Sequence, residues 1–109
     1  MQPAMYGYMR LTASGDAEDE SVTIRHELAT HAQREGFTLE RVFIERVRVD
    51  EEPAFFTLID ALKTTEVKHV IVPSLWHFAR LPGLQAAMRD HIEQVIGARL
   101  WVVQGVRVR

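Results

Sequence analysis

The sequence predicts an α/β fold: a three-layer domain in which a mainly parallel sheet of four or five strands is flanked by helices on both faces. Short apolar runs alternate with amphipathic stretches along all 109 residues. The runs are apolar on both faces, as is typical of a parallel sheet covered on both sides. No internal repeat, low-complexity tract or linker interrupts this order, so we expect a single domain spanning residues 1–109.

The first strand and the first helix follow from composition and spacing. Residues 5–9 form a short apolar run, which predicts a strand. Residues 18–34 are predicted to be helical because Ile24, Leu28 and Ala32 recur at i, i+4 and i+8 and so share one face. Acidic residues crowd the start of this helix, where the helix dipole favours negative charge, and a glycine follows its end.

The middle of the chain predicts a second strand, a second helix and a third strand. Residues 38–47 contain an apolar centre and are predicted to be extended. Pro53 suits the first turn of a helix, where its missing N–H costs no hydrogen bond. The inward stripe of that helix is predicted to consist of Phe55, Ile59 and Leu62. Residues 67–72 are apolar, and the proline that follows them helps to end the strand.

The last third of the chain predicts a helix and a final strand, which completes the order β-α-β-α-β-α-β. Residues 82–96 are predicted to be helical, and Gly97 breaks this helix. One side is predicted to be lined by Leu84, Met88, His91 or Ile92, and Val95. Residues 100–103 form the last strand. The tail beyond it alternates apolar and basic residues, which is typical of a half-exposed edge strand or a fraying end.

Composition excludes several classes of site and partner. The chain has no cysteine, and its five histidines lack metal-ligand spacing, so we expect neither a metal nor a cofactor. No run approaches the roughly 20 apolar residues of a membrane helix. The first residues do not resemble a signal peptide, and we expect a cytoplasmic protein. The net charge of −2 disfavours DNA binding by this domain alone.

Two segments at the ends of predicted strands carry the main functional signal. They are residues 8–12 (YMRLT) and residues 75–80 (LWHFAR). Parallel sheets place their sites at the carboxyl ends of strands, so we expect the two segments to meet. They resemble the active-site edge of the serine recombinases, the resolvases and invertases, whose catalytic domain carries Tyr-x-Arg-x-Ser and Leu-Asp-Arg-Leu-x-Arg. The resemblance extends over residues 5–103 and implies a resolvase-like catalytic fold.

The resemblance also implies a DNA phosphoryl-transfer site at this edge, in which several groups are replaced. Arg10 stands where the family has its first catalytic arginine, and Arg80 where it has the last arginine of the second motif. Thr12 occupies the position of the nucleophilic serine. Trp76 and His77 replace the Asp-Arg pair of the second motif. Ordinary structural roles are also open: an ion pair for Arg10 or Arg80, packing for Trp76, and a surface position for His77.

These replacements remove charge and reactivity that the implied chemistry needs. Arginines stabilise the phosphoryl transition state, and losing one preorganised donor costs on the order of 10²–10³ in rate. Glu52 stands where the family has an arginine before proline, and residues 11–20 hold four acids and no base, which repels phosphate. The Thr12 hydroxyl sits on a stiff, β-branched carbon. We therefore expect a degenerate, catalytically inactive domain that acts as a binding or regulatory module.

Two alternatives stay open. One is an active recombinase or nuclease with Thr12 as nucleophile and His77 as general base. The other is a phosphate- or small-ligand-binding α/β domain in which Arg10 and Arg80 hold an anion. The expected partner is a protein or a second copy of the chain, and DNA follows from the resemblance only. In the family, a long dimer-forming helix and a DNA-binding domain follow the last strand. We expect these to be lacking here, unless the chain is a fragment of a longer recombinase.

Overall fold

The computed structural model describes residues 2–11, 17–46, 53–78 and 81–103, without the side chains of residues 17, 18 and 76. The elements follow in the order β1 (Ala4–Arg10), α1 (Ala17–Arg34), β2 (Thr38–Glu45), α2 (Ala54–Thr64), β3 (His69–Val72), a 3-10 helix (Leu75–His77), α3 (Pro82–Asp90), a π-helical segment (His91–Ile96) and β4 (Arg99–Val102). The predicted alternation of strands and helices is therefore confirmed. The chain beyond residue 103, predicted to be an edge strand or a fraying end, lies outside the described residues.

The four described strands form one parallel sheet in the order β2-β1-β3-β4. The central strand β1 pairs with β2 along its whole length, and the register places Arg10 opposite Glu45. On its other side β1 pairs with β3, with Tyr6 opposite Val70. Because all strands run in the same direction, the chain segments that leave β1, β2 and β3 emerge at one edge of the sheet.

Helices cover both faces of this sheet, as the predicted three-layer architecture requires. On one face, α1 packs over a core that consists of Met5, Met9, Leu11, Leu28, Ala32, Phe37 and Ile71. On the other face, α2 and the π-helical segment pack over a core that includes Tyr6, Tyr8, Phe43, Leu58, Leu62, Val70, Phe78 and Ile92. Successive residues of β1 alternate between the two cores, which is the two-residue period of a strand buried on both faces.

Gly7 lets α1 approach β1 closely. A β-carbon at this position would lie 3.2 Å from Leu28 Cδ1, 3.2 Å from Val42 Cγ2 and 3.3 Å from Leu39 Cδ1. These distances are shorter than ordinary carbon–carbon contacts of about 3.5–4.0 Å. The absence of a side chain therefore sets the spacing between the helix layer and the centre of the sheet.

Two details of helix packing differ from the sequence predictions. Leu58 is fully buried in α2, although the predicted stripe did not include it. The predicted helix over residues 82–96 is α-helical only to Asp90 and then forms the π-helical segment. The i→i+5 bonds of a π-helix reset the side-chain period after Asp90, so Ile92 is buried whereas Val95 is exposed. Leu84, which lies in α3 ahead of this segment, is also exposed. No helix in the described ranges is long and apolar enough to cross a membrane.

Candidate functional site

The two segments singled out in the sequence meet at the carboxyl edge of the sheet. The backbone N–H of Arg10, at the end of β1, donates a hydrogen bond of 3.0 Å to Nδ1 of His77 in the 3-10 helix. The 3-10 helix is closed by backbone bonds from His77 to Ser74 and from Phe78 to Leu75. This short helix reverses the chain direction after β3 and places the His77 imidazole next to the end of β1.

The His77 imidazole is buried and uncharged at neutral pH. Only 3% of the residue is exposed, so the surface position considered from the sequence is wrong. Burial lowers the pKa of His77 from 6.5 to about 4, because removal from water penalises the charged ring. An Nδ1 atom that accepts a hydrogen bond carries no proton, so the proton of the neutral ring is on Nε2.

This protonation state limits what His77 can do chemically. A general base needs a nitrogen lone pair within reach of the proton that it removes. The lone pair of Nδ1 is engaged by the Arg10 N–H, and Nε2 already holds the proton. As long as this bond persists, the ring serves as a structural acceptor that joins β1 to the 3-10 helix.

The other predicted site residues differ in how far the structure describes them. Arg10 lies at the end of β1 as predicted, is half-buried, and lines a groove at this edge of the sheet. Trp76 lies in the 3-10 helix, and its side chain is outside the described part of the structure. Thr12 and Arg80 also lie outside the described residues. Arg10 and His77 are therefore the two predicted residues that the structure brings together.

A half-buried hydrogen-bond network next to Arg10 was missed in the sequence. The Tyr8 hydroxyl donates a hydrogen bond of 3.1 Å to Glu45 Oε1, and the Phe55 backbone N–H donates one of 3.3 Å to the same oxygen. Burial, followed by the negative charge of Glu45, raises the pKa of Tyr8 well above its usual range. Glu45 thereby connects β1, β2 and the first turn of α2, where the helix dipole favours a carboxylate. The sequence signal that could have revealed this network is an acidic residue, Glu45, directly after the apolar centre of a strand.

An apolar groove opens beside this network, between the sheet edge, α2 and α3. We call it the edge groove, with a volume of about 450 Å³. Among the described residues, its lining includes Tyr8, Arg10, Glu45, Arg46, Pro53, Phe55, Phe56, Phe78, Leu84 and Met88. Tyr8 and Phe78 are buried and lie deep, whereas Phe56 is 56% exposed and Leu84 is 51% exposed at the rim. Within the described ranges, no group of three histidine or acidic residues is placed to hold a metal ion.

The fold is that of serine recombinase catalytic domains. The C-terminal catalytic domain of ISC1926 TnpA, an IS607-like serine recombinase, matches with a TM-score of 0.75 and 16% identity, over 95% of this chain and 72% of that one. A resolvase family site-specific recombinase from Streptococcus pneumoniae matches with a TM-score of 0.74 and 19% identity, over 94% and 72% of the two chains. A serine recombinase from Sulfolobus solfataricus matches with a TM-score of 0.68 and 15% identity, over 99% and 72%.

Sequence comparison alone does not reach these proteins: no family model and no curated protein matches the chain. The assignment of the fold therefore rests on the structural likeness. The resolvase-like α/β fold predicted from residues 8–12 and 75–80 is confirmed at the level of fold.

Proposed function

We propose that residues 1–109 form a single resolvase-like domain that does not cleave DNA and acts by binding another molecule. The observation that carries this proposal is the state of His77. By the sequence resemblance, His77 stands where recombinases have an arginine. It is a buried, neutral imidazole engaged by the Arg10 N–H. A neutral ring in this position supplies no positive charge to a phosphate.

The cost to catalysis follows from the chemistry of phosphoryl transfer. Negative charge collects on the phosphate oxygens in the transition state, and arginine forks stabilise it through charge-assisted bonds. One lost donor of this kind reduces the rate by on the order of 10²–10³, so two independent losses compound to about 10⁴ or more. Glu52 and His77 occupy two such positions. Thr12, in the position of the nucleophile, adds a branched carbon next to the attacking oxygen.

A plasmid assay tests the proposal. Supercoiled DNA is incubated with the protein, with Thr12→Val, and with an active serine recombinase as positive control. Nicking is followed on a gel and covalent protein–DNA adducts by mass spectrometry. We expect the plasmid to stay supercoiled with both forms of this protein, and no adduct. Nicking accompanied by a Thr12-linked adduct that the valine variant abolishes would show that the domain is an active enzyme.

The position of Arg10 in the edge groove favours binding of a negatively charged ligand or partner group. The Arg10 side chain lines the edge groove next to aromatic and aliphatic side chains. A cation at the margin of an apolar cavity suits a negatively charged ligand or partner group. This supports the small-ligand alternative more strongly than DNA binding by the domain alone, because the chain carries a net charge of −2.

A further inference from the structure

We propose that the edge groove binds a small organic anion with an apolar body, of the class of aryl or branched alkyl carboxylates. This inference rests on the proposed function, in which the domain acts by binding. It goes further by naming the site and the chemical class of the ligand.

The size and lining of the edge groove match a small-molecule site. Pockets for small ligands have volumes of about 300–1,000 Å³ and are lined by apolar and aromatic side chains with a few polar groups. The edge groove has a volume of about 450 Å³. A cavity of about 150 Å³ is enough to hold benzene, so this volume accommodates a body of one or two rings. Tyr8 and Phe78 line its deep part, and Phe55 and Met88 line its sides.

The charges at one end of the edge groove select an anion. Among the described residues, the charged side chains that line it are Arg10, Arg46 and Glu45. Oε1 of Glu45 already accepts bonds from the Tyr8 hydroxyl and the Phe55 N–H. A ligand carboxylate at Arg10 gains a charge-assisted hydrogen bond next to apolar walls, where such bonds are strengthened.

The apolar walls decide which anion fits. A sugar phosphate would place hydroxyls against apolar side chains that cannot bond to them, at a desolvation cost, and bare phosphate would leave the apolar body of the groove unfilled. A carboxylate on an aromatic or branched alkyl group instead covers Phe56 and Leu84, two large apolar side chains that are mostly exposed at the rim. The same ligand therefore satisfies the cationic end and the apolar body of the groove.

Matched probes test the ligand class. Isothermal titration calorimetry compares 3-phenylpropanoate, the neutral 3-phenylpropan-1-ol and inorganic phosphate on the full chain. We expect the carboxylate to bind at least tenfold more tightly than the alcohol, and phosphate to bind more weakly than both. Equal affinities for acid and alcohol, phosphate binding as tight as that of the acid, or no binding of the acid would each overturn the proposal.

Variants locate the site. Arg10→Gln should lower the affinity for the acid to that of the alcohol, while the affinity for the alcohol changes less than twofold. Leu84→Glu should weaken binding of the acid at least tenfold, because it places a negative charge at the rim. Val95→Glu is the matched control: Val95 is 67% exposed and does not line the edge groove, so less than twofold change is expected. Equal weakening by the two glutamates contradicts the assigned site.

Two further readouts separate the possible failures. Leu84 is exposed, so its variant keeps the test informative even if Arg10→Gln does not fold, which circular dichroism reports. Analytical ultracentrifugation shows whether Leu84→Glu, but not Val95→Glu, converts a dimer to a monomer. That result would mean that a second copy covers the groove and would overturn the small-anion proposal. Plasmid nicking, in contrast, contradicts the proposed function without changing any of these affinities.

Discussion

Replacing His77 with phenylalanine removes the acceptor of the Arg10 N–H and keeps a ring of similar size in the same buried position. A buried N–H that loses its partner costs about 1–3 kcal/mol. At pH 7 we therefore expect the free energy of unfolding of the variant to be lower than that of the wild type by about this amount.

Lowering the pH should reduce this difference in the free energy of unfolding between the wild type and the variant. The pKa of His77 is lowered from 6.5 to about 4 by burial, so between these values the unfolded chain binds the proton and the folded chain does not. Stability from this residue is thus complete above pH 6.5 and is lost as the pH falls toward 4. One pKa unit corresponds to at most ~1.4 kcal/mol, and solvent screening lowers this value. We expect the wild type to lose about 1–2 kcal/mol through His77 between pH 7 and pH 4.5.

Urea unfolding followed by far-ultraviolet circular dichroism at pH 7.0, 6.0, 5.0 and 4.5 measures this effect. All other residues are the same in the two proteins, so the difference between wild type and variant isolates His77. His77→Asn serves as a second control, because its amide oxygen keeps an acceptor near the Nδ1 position and does not titrate. The reasoning is refuted if the gap between wild type and His77→Phe is the same at every pH, or if there is no gap at pH 7.

Two further substitutions, one of them with a matched control, test the packing and the half-buried hydrogen-bond network around the site. Gly7→Ala places a β-carbon 3.2 Å from two side chains, so we expect a loss of about 1–3 kcal/mol in urea unfolding, whereas Gly83→Ala, with no atom within 4 Å of its β-carbon, should be neutral or stabilising. Tyr8→Phe removes the 3.1 Å bond to the carboxylate of β2 and should cost about 1–2 kcal/mol by the same method, and an unchanged stability would mean that this bond contributes nothing.

The fold was predictable because strands that are buried on both faces of a sheet consist of consecutive apolar residues, which are visible in the sequence. The short apolar runs form the four parallel strands. Leu28 and Ala32 lie on the buried face of α1, as their spacing predicted. The change from α-helix to π-helix after Asp90 was not predictable from the same spacing. It depends on the fit of this segment against the sheet, which a periodic pattern does not encode.

The candidate site was predictable in its location and not in its chemistry. The sequence predicted that Arg10 and His77 lie at one edge of the sheet, because Arg10 ends one parallel strand and His77 comes shortly after another. The burial of His77 depends on a contact across 67 positions of the chain, and the bond between Tyr8 and Glu45 spans 37. Neither contact leaves a local signal, so a surface histidine and a catalytic base were both compatible with the sequence.

The protonation state of His77 is the most direct test of the account, because it decides whether a cation occupies this position. Two-bond ¹H–¹⁵N correlation spectra of labelled protein report the tautomer and charge of each imidazole as a function of pH. We predict for His77 a neutral ring with its proton on Nε2 at pH 7 and a titration midpoint near 4. A doubly protonated ring at pH 7, or a midpoint at or above 6.5, would contradict the inference that this edge lacks the charge needed for phosphoryl transfer.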